Sequence, residues 1–290
     1  PVSEIVCLGD TITPLSVDYI NGVGMPIYQW YSNSSNSNVG GIAIANETNS
    51  SFSPPASTAG TFFYYCIITF PSLNGGCEMI TSTAATIIIN QIPVISSQNQ
   101  TICSSATFTI NPVTASPDIV PAGTLYTWSA PILNPIGAII GSSAQTVGQP
   151  EISQTLVNTS SAAATATYTI TPSSGNCIGA TFTSTITINP AMNPNAVVTN
   201  STCFGIDNGS ITTNITGGIP FTTGAPYTIQ WTGPNGFSST NATVSNLEPG
   251  IYQLSINDAG GCPIANSYTI TEPSDIILTT DSSNNITCFG

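Results

Sequence analysis

Not one of the 290 residues is Lys, Arg or His, while 13 are Asp or Glu, so the chain carries a formal net charge of -13. An ordinary soluble protein is about one quarter charged, with both signs mixed. Ion pairs between side chains are therefore unavailable here. Apolar burial, hydrogen bonds and covalent crosslinks are left to hold a fold. Nucleic-acid binding needs cations that displace condensed counterions, and attachment to anionic membrane surfaces needs them too, so both are excluded. A Ser-His-Asp triad lacks its histidine. Trypsin-like proteases, which cut after Lys or Arg, have no site.

The chain is nonetheless built to fold. It is 40% hydrophobic and only 4% charged, far from the composition that keeps a chain disordered by self-repulsion. No segment approaches the roughly 18 apolar residues of a membrane span, so no membrane insertion is expected. Residue 1 opens no secretory signal, since a basic leading region is missing. The chain is expected to be part of a longer one.

Period-2 alternation rich in Val, Ile, Thr and Tyr dominates, as in 165–170, 181–188 and 251–256. Such runs suit strands with one buried face. Turn signals recur at close spacing: Asn74-Gly75-Gly76, Asp207-Asn208-Gly209, Gly217-Gly218 and Asn235-Gly236. Short strands between regular turns predict β-sandwiches. The pattern repeats three times. Each unit opens on a cysteine (Cys7, Cys103, Cys203) and has a central aromatic strand with Trp30, Trp128 or Trp231. Each closes on a Gly-containing turn with a second cysteine (Cys77, Cys177, Cys262), then a last strand and a proline. We expect an all-β chain of tandem Ig-like antiparallel sandwiches in an elongated array, over 1–91, 92–190 and 191–275. Residues 276–290 start a further repeat, because Cys288-Phe289-Gly290 restates Cys203-Phe204-Gly205. Short Pro-bearing linkers predict a semi-rigid row, on the order of 100 Å long at about 3.3 Å per strand residue.

Within the third unit, the runs 203–211, 217–220, 227–231, 247–252, 258–262 and 268–273 together resemble the SprB-type repeat of giant adhesins in gliding bacteria. The first unit resembles Ig-like domains through Tyr28-Gln29-Trp30-Tyr31 and Tyr64-Tyr65-Cys66. The second resembles PKD-like domains through Ile102-Cys103, Thr169–Pro172 and Asn176-Cys177. The resemblance implies export by the type IX route, display on the cell surface, and no enzyme activity.

Equivalence between units pairs Cys7 with Cys77, Cys103 with Cys177, and Cys203 with Cys262. CxxC-type zinc spacing does not occur, and such long spacings favour disulfides in an oxidising compartment. Each bond would close a loop of about 60–75 residues, for roughly 4 kcal/mol at most. Cys288 would pair outside the sequence. Cys66 stands where an immunoglobulin domain has its inter-sheet bond, so Cys7 with Cys66 is the alternative, leaving Cys77 free. Trp30, Trp128 and Trp231 are read as core aromatics. Phe221 and Phe237 are the loop candidates for stacking on a sugar.

Asp207 and Asp258 are read as turn-capping residues. Calcium, which needs several oxygen ligands, lacks a DxDxD-like run. Glu47, Glu78, Glu151 and Glu248 are spread over the three units and form no recognisable catalytic pair. Sequons such as those at Asn46 and Asn241 arise by chance in so polar a chain. Thr11, in Asp10-Thr11-Ile12, is the candidate for O-glycosylation. No cofactor is expected. The reading is an extracellular, tension-bearing adhesin segment whose partners are further repeats and a surface or glycan ligand. Its alternative is a glycan-binding module or an accessory region of a secreted polysaccharide-degrading enzyme.

Overall fold

Strand β1 (Glu4–Cys7), β2 (Ile27–Asn33), β3 (Gly60–Thr69) and β4 (Ala85–Asn90) form the main sheet of the first sandwich. The computed structural model describes residues 1–21, 24–70 and 79–279. Along β4 the residues alternate strictly between buried and half-buried, which puts Ala85, Ile87 and Ile89 in the core. β3 lies between β4 and β2, antiparallel to both. β1 joins the far edge of β4 in parallel, with Glu4 opposite Ile87 and Cys7 opposite Asn90. A short pair, Leu15–Ser16 with Ser51–Phe52, covers the other face.

The second sandwich repeats this plan. β5 (Gln98–Cys103) runs parallel to β8 (Phe182–Asn189), placing Cys103 opposite Asn189. β8 is antiparallel to β7 (Ala164–Ser174), which pairs with β6 (Leu125–Trp128). Thr107–Ile110 and Ile152–Thr155 make the facing pair. In the third, β9 (Thr228–Thr232), β10 (Gly250–Asn257) and β11 (Pro263–Ile270) are consecutive antiparallel neighbours. They face a three-stranded sheet of Val197–Thr199, Gly209–Thr212 and Thr243–Leu247.

Each sandwich has its own apolar core. Trp30, Trp128 and Trp231 are buried, one in each. A buried indole N–H needs a partner, and all three donate to a backbone carbonyl across the sandwich: Trp30 to Asn49 at 2.9 Å, Trp128 to Ser143 at 3.0 Å and Trp231 to Asn241 at 3.1 Å. Cys66 lies opposite Trp30 in the β2–β3 ladder and is fully buried. Burial pushes its thiol up to about 11.

The chain exposes 16912 Å² of surface, where a compact monomer of this size would expose roughly 11,600 Å². That excess fits three small sandwiches placed end to end.

Candidate functional site

The parallel terminal strands decide where each cysteine sits. A chain that enters β1 and leaves through β4 travels the same way along both. Cys7, near the start of the sequence, is thereby carried to the pole where its sandwich hands over to the next. Cys103 reaches the corresponding pole of the second sandwich, beside Asn189. The second cysteines sit at the opposite pole. Cys177 lies at the tip of the β7 hairpin, across from Ser174 and ahead of β8. Cys262 lies in the turn between β10 and β11, ahead of Pro263.

This arrangement corrects the pairing expected from unit equivalence. β8 alone, eight residues long, holds Cys103 and Cys177 about 25 Å apart, whereas a disulfide needs Cα atoms within about 7 Å. β11, also eight residues long, separates Cys262 from the pole that carries Cys203. The bonds formed run between units instead. Cys7 is joined to Cys177 with Cα atoms 5.5 Å apart, and Cys103 to Cys262 with Cα atoms 5.6 Å apart. Cys7 is therefore bonded neither to Cys77 nor to Cys66. Cys66 and Cys203 are free thiols, the first buried and the second exposed. Cys77 and Cys288 lie outside the described residues.

Local geometry presents these cysteines. At the first junction, the Asp10 carboxylate accepts from the Cys7 N–H at 3.0 Å, and the Leu8 N–H donates to the Asn90 carbonyl at 2.9 Å. Gly179, two residues past Cys177, lies against the linker, and a Cβ there would run into the Pro93 carbonyl oxygen. A polar cleft beside the disulfide is lined by Glu4, Asp10, Asn90 and Asn176, with exposed Thr11 on its rim.

At the second junction, buried Asp258 accepts from the Cys262 N–H at 2.8 Å and from the Ile219 N–H at 2.7 Å. One carboxylate thus ties together the two turns that face the preceding sandwich. The Asn189 amide donates to the Gly260 carbonyl at 3.4 Å. Gly217 has φ +74°, and a Cβ there would meet the Ala191 carbonyl oxygen. Two of the third unit's motif runs, Gly217–Pro220 and Asp258–Cys262, are thus the surface that receives the linker and the disulfide from the second unit.

The remaining candidates are scattered. Phe237 is half-buried against the third core and packs edge-on against Tyr252 at 5.2 Å between ring centroids. Phe221 is exposed on its loop. Asp207 is exposed, and its neighbour Asn208 braces the Cys203 loop. Glu248 accepts from Asn235 at 2.7 Å, while Glu47 and Glu151 belong to other sandwiches. Glu78 lies outside the described residues. Among those residues, no helix is long and apolar enough to cross a membrane.

Comparison with known families agrees with this layout. Residues 100–192 match the PKD-like domain family, 195–236 the SprB repeat family, and 2–91 a domain of unknown function, DUF8696. No curated protein sequence matches. Similar solved structures include a three-Ig-domain fragment of titin, 11% identical with TM-score 0.41, covering 94% of this chain and 96% of that one. Another is the FN1–FN3 segment of chicken CNTN1, 12% identical with TM-score 0.33, covering 85% and 89%. SGBP-B of the Bacteroides ovatus mixed-linkage glucan utilization locus, solved in complex with a mixed-linkage heptasaccharide, is 11% identical with TM-score 0.25, covering 94% and 66%. Along the chain, a stretch similar to the PKD-like domain family is followed by one similar to the SprB repeat family, both on mostly antiparallel β-sandwiches.

Proposed function

We propose that the chain is a tension-bearing segment of an extracellular adhesin filament, with its sandwiches serving as spacers. The observation that carries this reading is that both disulfides cross domain junctions. Each junction then has two covalent connections, the linker and the sulfur bridge. Two separated links oppose bending and twisting where a single linker would act as a swivel.

The strand order suits load as well. β1 and β4 are parallel neighbours at the two ends of the first unit. In the reduced chain, force applied along the row slides them lengthwise and loads their hydrogen bonds together instead of one after another; with the sulfur bridges closed, the shortest covalent path passes β4 by. β5 and β8 repeat the arrangement. The SprB repeat supports a place on the cell surface, with export by the type IX route and use in gliding. Further repeats of the same chain are the partners at the poles, and a surface or glycan ligand is the target of the filament. Exposed Thr11 is the O-glycan acceptor in this reading.

Single-molecule pulling tests the proposal. With both bonds intact, the shortest covalent path from residue 1 to residue 275 runs through 1–7, 177–103 and 262–275. That is about 93 residue steps, or roughly 330 Å fully stretched. After reduction the limit rises to about 950 Å. Oxidised chains that extend to the longer limit, or sandwiches that open at negligible force, would refute a load-bearing role.

A further inference from the structure

Cys203 is exposed and unbonded, and although no parallel strand pair ends on it, its turn matches those of the two bonded opening cysteines. In all three units the cysteine carbonyl accepts from the N–H three residues on: Asp10 to Cys7 at 3.0 Å, Ala106 to Cys103 at 3.1 Å and Ile206 to Cys203 at 3.4 Å. The residue two positions past each cysteine has a left-handed backbone: Gly9 at φ 88°, Ser105 at 70° and Gly205 at 71°. Each turn is also tied to a residue at, or in the third unit just past, the end of its unit's last strand. Leu8 and Ser104 donate to the carbonyls of Asn90 and Asn189, and the Gly205 N–H donates to the Glu272 carboxylate at 2.6 Å. Glu272 precedes Pro273 as Asn189 precedes Pro190.

The loop is braced before any partner arrives. Asn208 accepts from the Thr202 N–H at 3.0 Å and donates to the Thr202 hydroxyl at 2.8 Å. Phe204 and Ile206, beside the thiol, are exposed apolar side chains.

From this geometry we infer that Cys203 is the outgoing half of a third inter-unit disulfide, which takes the Gly-turn cysteine of a following sandwich of the same kind. Phe204 and Ile206 are the apolar surface that this sandwich covers. Forming the bond removes two protons and two electrons from the two thiols. A disulfide oxidant such as oxidised glutathione accepts them and becomes two glutathione thiols. The inference stands on junction geometry and does not depend on whether the row bears load.

The test lengthens the chain. Residues 1–273 are followed by a second copy of 191–275, so that Pro273 takes the place of Pro190. Thr199→Ser and Ser267→Thr mark the copy for mass spectrometry. The protein is refolded in a glutathione redox buffer, alkylated, and cut with pepsin at low pH. We expect the Cys203 peptide of the original third unit to be linked to the marked Cys262 peptide in most molecules. Intact Cys7–Cys177 and Cys103–Cys262 bonds serve as the control for folding. Cys203→Ser should leave the marked Cys262 alkylated and those two bonds unchanged. A Cys203 that stays alkylatable in molecules carrying both control bonds, or that forms only Cys203–Cys203 dimers, overturns the inference.

Discussion

Cys7 lies directly opposite Asn90, at the ends of two parallel strands that open and close the first sandwich. That relationship points the first cysteine of the unit outward, toward its neighbour. Cys103 and Asn189 repeat it one domain later. A covalent clamp between adjoining units follows from strand direction once a second cysteine waits at the facing pole.

Removing a clamp should free its junction and leave the cores intact. Cys103→Ser is expected to broaden the interdomain distance distribution seen by small-angle scattering, with far-UV circular dichroism unchanged. Because the bond spans 159 residues, the lost stabilisation has an upper bound of about 5 kcal/mol in the loop-entropy picture. Calorimetry should show the second and third sandwiches melting more independently.

Close backbone contacts should make two glycines necessary. Gly179→Ala drives a methyl group into the Pro93 carbonyl, and Gly217→Ala drives one into the Ala191 carbonyl at a left-handed position. Each should cost about 1–3 kcal/mol, the usual penalty for overpacking. Each should also slow oxidation of its own junction only: Cys7–Cys177 for the first, Cys103–Cys262 for the second. Time-resolved alkylation distinguishes the two.

The two free thiols should differ sharply in reactivity. Exposed Cys203 should react with iodoacetamide at pH 8, whereas Cys66 should react only after denaturation, because burial keeps it protonated. Burial also raises the phenols of Tyr64, Tyr126 and Tyr168. These groups ionise more readily in the unfolded chain than in the folded one. Their contribution is fully present below about pH 9, the ordinary thiol value, and is lost as pH climbs through the raised folded values. Denaturant midpoints should therefore hold through neutral pH and fall from about pH 9 upward.

Trp231→Phe should remove the indole donor to the Asn241 carbonyl and leave a void between the sheets of the third unit. A loss of about 2–4 kcal/mol is expected from the missing bond and the cavity together. Urea unfolding followed by circular dichroism would show it in the third unit's transition, with the disulfide pattern retained.

Much of this fold was legible in residue order. Alternation marked β7, β8 and β10, and each tryptophan stands on a strand between turn signals. The disulfide pairing was not legible from spacing, because spacing gives loop length and says nothing of which pole a cysteine occupies. Cys103 and Cys177 are ends of one unit in sequence and opposite poles of it in space. A usable signal was present: the opening cysteine ends a first strand, while the Gly-turn cysteine precedes a last one. Parallel pairing of those strands sets the two cysteines at opposite ends. Gly217-Gly218 and Asp258–Gly261 read as ordinary turns, since their role depends on Ala191 and Asn189 from the preceding unit.

Disulfide mapping of the oxidised chain tests the clamp most directly. Pepsin must replace trypsin, which finds no Lys or Arg. Peptides linking Cys7 to Cys177 and Cys103 to Cys262, with Cys66 and Cys203 alkylated only after denaturation and before it respectively, are the predicted result. Peptides linking Cys103 to Cys177, or Cys203 to Cys262, would contradict it.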